Sequence, residues 1–276
     1  MVSIWKSFLV LNLNLIQFMF RPRIIPVLTL KGKGLVKTIK FDKRRARYLG
    51  DPINAVHIFN DLEADELIFL DITATIEGRC ISSELVKSIG EEAYMPFAVG
   101  GGITNINQIH QLISAGAEKV IINTSCVKSP ELISEASRQF GNQSIVAAID
   151  FKKAIFGKLR IYINDGSTQV NTDIEQHIRI LEESGAGELF INSIDRDGMM
   201  SGYDLELVKY ISDLVKIPVI ACGGAGDLSD LAKVTRQAKA SAAAAGSMFV
   251  YHGSRNAVLI NYPDKQELIQ TLENII

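Results

Sequence analysis

Eight short apolar runs constrain this chain more than anything else in it. They are Ile24–Leu28, Leu67–Asp71, Phe97–Val99, Lys119–Asn123, Ile145–Asp150, Glu188–Ser193, Pro218–Cys222 and Ser241–Gly246. Apolar and polar residues do not alternate within them. Strands of this kind are covered on both faces, as in a parallel sheet flanked by helices. Helical patterns lie between the runs. Ala55, Ile58, Phe59 and Leu62 fall at i, i+3, i+4 and i+7, and Ile106, Ile109 and Ile113 mark a second helix. Ser129-Pro130 opens a third, with proline suited to the first turn. Eight such units in about 250 residues fit a (β/α)8 barrel, α/β in class. An open doubly wound sheet is the competing arrangement. Leu159–Ile163 reads as an added hairpin, and Leu30–Phe41, with Lys31, Lys33, Lys37 and Lys40, as an exposed, mobile basic loop.

In such a barrel, chemistry sits at the C-terminal ends of the strands. That rule gathers Thr29, Asp71, Gly100–Gly102, Asn123, Thr124, Asp150, Asn192, Ser193, Asp195, Asp197, Gly198, Gly223–Gly226, Gly246 and Ser247 on one rim. Each alone has a bland explanation, since Asp, Ser and Thr commonly cap helices. Together they offer carboxylates, hydroxyls and glycine turns without a histidine or metal-ligand cluster. Ala98-Val-Gly-Gly-Gly-Ile103 and Ile220-Ala-Cys-Gly-Gly-Ala-Gly226 sit at matching places in the two halves. Each turns through glycine into a helix start, a setting that suits phosphate. The pair suggests a half-barrel duplication and a ligand with two anionic ends. His57, His110 and His177 fall in expected helices at surface or satisfied positions, and His252 follows strand eight.

Hydrophobic residues at 47% and charged residues at 22% allow a large core, and a net charge of −2 argues against nucleic acid as the main partner. Cys80, Cys126 and Cys222 are odd in number and widely spaced, so neither a disulfide framework nor a zinc site is expected. A reduced, cytoplasmic protein without cofactor or metal is the simple reading. Residues 1–18 read as an N-terminal extension ahead of a start at Met19, and 19–276 as one barrel domain. The apolar stretch near Phe8 is broken by Asn12, Asn14 and Gln17. It suits neither a signal peptide nor a membrane span.

Several of these stretches together resemble the cyclase subunit family of imidazole-glycerol-phosphate synthase. They are Arg23-Ile-Ile-Pro26, Asp65-Glu-Leu67, Phe69-Leu-Asp-Ile-Thr-Ala74, Val99-Gly-Gly-Gly-Ile103, Val146-Ala-Ala-Ile-Asp150, Ser193-Ile-Asp-Arg-Asp-Gly198 and Gly202-Tyr-Asp204. The likeness runs from about Phe20 to Tyr251. It implies two phosphate sites, one using Gly102, Asn123 and Thr124, the other Asp197, Gly198, Gly224, Gly246 and Ser247. It implies a glutaminase docked on the N-terminal face, with ammonia passing through the barrel. Arg23, Glu66, Lys119 and Glu188 match the family's ring of charges at the ammonia entrance. A salt-bridge plug is the bland reading of that ring, since buried charges normally pair. Lys37, Asp71, Asn192 and Asp195 complete the expected rim.

The departures from the family are specific. Of its two catalytic aspartates, the second matches Asp150, but the first falls on Thr29. A threonine hydroxyl does not titrate near neutral pH and cannot hold a proton reversibly as a general acid–base group, so ring closure is expected to be badly impaired. Met199 and Asn192 stand where the family usually has threonine. The chain is similar to the paralogous branch that works in acetamidino modification of surface-polysaccharide (O-antigen) sugars, particularly through Phe20-Arg-Pro-Arg-Ile24 and Lys33-Gly-Leu-Val-Lys-Thr38. That likeness implies a separate sugar amidotransferase as a further partner.

Overall fold

The computed structural model describes residues 21–154 and 157–273. The expected extension at residues 1–18 lies outside the described residues. Eight parallel strands form the barrel: β1 (Arg23–Lys31), β2 (Leu67–Asp71), β3 (Phe97–Gly100), β4 (Lys119–Ile122), β5 (Ile145–Lys153), β6 (Glu188–Ser193), β7 (Val219–Cys222) and β8 (Ala242–Ala245). Each pairs with its neighbour in sequence. β8 pairs with β1 through Arg23↔Ala242, and β5 with β6 through Asn192↔Asp150, which closes the cylinder. The open doubly wound alternative is excluded by that closure.

Among the described residues, eight helices of nine or ten residues surround the strands: α1 (Pro52–Asp61), α2 (Ser83–Glu92), α3 (Ile106–Ser114), α4 (Glu131–Phe140), α5 (Ile174–Glu183), α6 (Leu205–Leu214), α7 (Leu228–Arg236) and α8 (Lys265–Glu273). Side chains of Asp51, Ser82, Asn105, Asp173, Asp204 and Asp227 cap six of them by accepting from backbone N–H groups of the first turn. The strands feed two apolar shells. One lies between strands and helices and holds Leu28, Phe69, Val99 and Ile149. The other fills the barrel, where Ile25, Ile68, Phe190 and Ile220 share space with the smaller Ala98, Ala148, Ala242 and Ala244.

Two sequence expectations need correcting. Leu30–Phe41 is not an exposed loop. Leu30 and Lys31 extend β1, and Gly34–Lys37 folds back antiparallel on it through Thr29↔Val36 and Leu30↔Leu35. Leu35, Val36, Lys37 and Thr38 are buried, because the turn carries them over the rim. In α1 the core face is Ala55, Val56 and Phe59, while Ile58 is 40% exposed. The hairpin from Leu159–Ile163 forms as expected, paired with Thr168–Val170.

Candidate functional site

A cavity of about 300 Å³ opens at the C-terminal ends of the strands. Of the expected rim residues, Thr29, Lys37, Asp71, Gly101, Gly102, Asn123, Thr124, Asp150, Asn192, Asp197 and Gly246 line it, whereas Gly100, Ser193, Asp195, Gly198, Gly223–Gly226 and Ser247 do not. Asp195 accepts from the Lys153 backbone N–H at 2.8 Å and so finishes the end of β5. Met199 is 44% exposed and lies outside the cavity wall.

Asp150 ends the inward-facing row of β5, above Val146 and Ala148. Asn123 Nδ2 donates to its Oδ2 at 3.1 Å, and Asn192 sits opposite it on β6. Its carboxyl is pushed up to about 7, first by burial, then by the charges of Asp165 and Asp197, against the hydrogen bonds of the two asparagines. A group poised there can hold or give up a proton at neutral pH. The same shift has a stability consequence. Between the ordinary carboxylate range and about pH 7, the native state keeps a proton that the unfolded chain has lost, so stability falls as pH rises through that window. Asp150→Asn is therefore expected to be more stable than wild type by up to about 4 kcal/mol at pH 8 and nearly equal at pH 4. Urea titrations at both pH values check this, and a gain of the same size at pH 4 would refute it.

Thr29 occupies the matching position on β1. Its hydroxyl donates to the Val36 carbonyl across the hairpin, so its one proton is committed to structure. Three carboxylates on the wall are held by cations: Asp197 by Lys37 at 2.9 Å, Asp71 by Arg79 at 2.6 Å and Asp165 by Lys43 at 2.7 Å. Lys37 belongs to the expected rim, but its burial at 5% does not follow from a glycine- and lysine-rich run. Lys43, Arg79, Lys128 and Asp165 also line the cavity, and the sequence reading missed them. Lys43, Arg79 and Asp165 sit in short polar segments and Lys128 ends a short helix, none with a local signal, and their partners lie far along the chain or across a bend.

The glycine turns are required by close packing. Gly102 takes φ +65°, and a Cβ there would collide with the Arg79 carbonyl. Gly224 takes φ +118°, and a Cβ there would meet the Gly202 carbonyl. Short helices at Thr124–Lys128 and Ser247–Val250 start on the rim without a side-chain cap. Nearby, Ser247 Oγ and Asn192 Oδ1 are buried without a partner among the described residues. His177 corrects the expectation of a surface or satisfied histidine: it is buried, its Nε2 has no partner among the described residues, and burial lowers its pKa.

At the opposite end, Arg23, Glu66, Lys119 and Glu188 form a closed ring. Arg23 reaches Glu66 and Glu188, each at 2.5 Å, and Lys119 reaches the same two carboxylates at 3.1 and 3.3 Å. The ring lies below Ile25, Ile68, Ile121 and Phe190, two residues further along the same strands.

Floor ring, apolar lumen and polar rim cavity belong to a closed (β/α)8 barrel with its cavity at the C-terminal ends of the strands. The chain belongs to the histidine biosynthesis protein family, whose profile matches residues 23–255. A Pseudomonas aeruginosa protein named provisionally as imidazole glycerol phosphate synthase subunit hisF2 is 45% identical over 250 residues, covering 91% of this chain and 99% of its own. A Vibrio vulnificus protein, also provisionally named as subunit hisF3, is 43% identical over 256 residues, 92% and 98% of the two chains. The imidazole glycerol phosphate synthase subunit HisF of Alkaliphilus metalliredigens is 43% identical over 235 residues, 85% and 92% of the two. No helix among the described residues is long and apolar enough to cross a membrane.

Proposed function

We propose that this chain is the barrel subunit of a glutamine-dependent system. It receives ammonia from a glutaminase docked on its N-terminal face and supports transfer to an acceptor, in acetamidino modification of a surface-polysaccharide sugar. The observation that carries this reading is Thr29, a non-titrating residue tied to Val36 where the cyclase chemistry wants a carboxylate, above an intact floor ring. The wall of glycine turns, Asn123 and Thr124 supports a phosphorylated ligand on the rim. The numbered names hisF2 and hisF3 of two relatives, as later copies would carry, support a paralogue. A second reading is ring closure in histidine biosynthesis. Asp150, with its carboxyl at about 7, favours it, as does the Alkaliphilus relative's name.

The test of the first reading is coupling. The proposed glutaminase partner is expected to co-purify with the barrel and to hydrolyse glutamine faster in its presence. Lys119→Ala removes a cation that bridges both ring carboxylates and is expected to cut that stimulation at least about tenfold, within the range of typical site-to-site coupling. A folded Lys119→Ala complex with full coupling would make the ring a plug, and the conduit reading would be withdrawn.

A further inference from the structure

We propose that Asp165 is a built-in anion beside Lys43 and Lys128, holding a station on the cavity wall that a ligand's phosphate takes by displacing the Asp165 carboxylate from Lys43. This rests on the reading that the rim accepts a phosphorylated ligand, and it adds which side chains receive the phosphate and what holds their place without it.

The charges on the wall carry the argument. Four cationic side chains line the cavity: Lys37, Lys43, Arg79 and Lys128. Lys37 is matched by Asp197 in a buried pair. Arg79 is matched by Asp71, whose Oδ1 also accepts from Thr73 N, Thr73 Oγ1 and Ala74 N and is built into a turn. The Asp71 carboxylate cannot leave without breaking that turn, and Asp197 cannot leave without stranding the buried Lys37. Asp165, like Asp197, has one side-chain partner among the described residues, but that partner, Lys43, is not buried. Its carboxylate is also the most open to water of the three, at 17% side-chain exposure against 12% for Asp197 and 4% for Asp71. Burial still lifts the Asp165 carboxyl above the usual carboxylate range, the mark of an anion held where solvation is poor. Lys128 has no carboxylate partner among the described residues, and its Nζ lies 3.5 Å from Asn164 Oδ1, one residue from Asp165.

The backbone brings this group to the wall at a cost. Asn164 and Asp165 take φ +51° and +56°, left-handed values that side-chain-bearing residues seldom adopt. The turn is fixed from two sides: Asn164 N donates to Thr124 Oγ1 at 3.1 Å, and the Phe41 ring sits close against Gly166. Lys43 arrives from the segment that continues past Phe41. An anion approaching Lys43 and Lys128 therefore meets two cations and one ionised carboxylate, and the carboxylate opposes it.

Phosphate binding to the full chain tests this directly, by titration calorimetry with inorganic phosphate at pH 7.5. Asp165→Asn removes the charge and keeps a residue that tolerates the left-handed turn. It is expected to bind phosphate about tenfold more tightly than wild type, a typical size for coupling between neighbouring sites. Lys43→Met is expected to weaken binding about tenfold in either background. Equal affinity in wild type and Asp165→Asn overturns the displaced anion while leaving a phosphate rim in place. Unchanged binding in Lys43→Met overturns the station itself. No phosphate binding by any of the four proteins removes the phosphorylated-ligand reading along with this inference.

Discussion

Supplied with free ammonia and the substrate of histidine-pathway ring closure, the barrel is expected to cyclise about 10²–10⁴-fold more slowly than a family member with aspartate at the end of β1. Free ammonia takes the glutaminase out of the experiment, so only the rim chemistry is measured. The deficit is the usual worth of one acid–base group, and Asp150 alone would account for what remains. The Thr29–Val36 hydrogen bond also decides what a simple reversal can achieve. An aspartate at 29 would face the Val36 carbonyl oxygen, and two acceptors would then lie together without a proton. The carboxyl must keep its proton or push Gly34–Lys37 off β1, which would shift Lys37 from Asp197. Thr29→Asp is therefore expected to recover only part of the lost rate, since a small misplacement can cost about 10²-fold. Steady-state kinetics of both proteins settle the matter. An ordinary enzymatic rate from the unaltered chain would return it to histidine biosynthesis.

The same residues show what was legible in the sequence. β2 and β6 coincide with the runs Leu67–Asp71 and Glu188–Ser193, because each is bounded by a change from apolar to charged or hydroxyl-bearing residues. The rim followed from the barrel rule, and most of its members do line one cavity. Asp195 shows the limit of that rule, since strand-end position does not separate a side chain aimed at the cavity from one closing a neighbouring strand. Lys37 reads as exposed because a lysine among glycines carries no local reason to be buried. Its reason is Asp197, 160 residues away. Asp165 and Lys43 were invisible for the same cause, a pairing across 122 residues between two polar turns. Apolar periodicity reports burial against a core. It says nothing about which charges meet across a rim.

Glu66→Ala is expected to destabilise the protein by about 3–5 kcal/mol, the cost of leaving buried charge uncompensated. Glu66 is 3% exposed and accepts from both Arg23 and Lys119. Without it, two cations at the barrel floor compete for Glu188 alone. A loss of that size should lower the melting temperature by on the order of 10 °C for a chain of this length. Replacing Asp65, which pairs with the half-buried Arg21 beside the ring, should cost less, because both partners there keep contact with water. The informative companion is a variant in which all four ring residues become apolar side chains of similar volume. Buried ion pairs seldom outperform such replacements, so it is expected to regain most of the stability lost in Glu66→Ala. A stable apolar floor that no longer raises glutamine hydrolysis by the partner would separate the two explanations of the ring. That outcome would mean that stability does not require four charges there, whereas the proposed polar entrance for ammonia does. A Glu66→Ala protein that melts within about 2 °C of wild type, less than the shift expected for 1 kcal/mol, would instead mean that water already compensates Arg23 and Lys119.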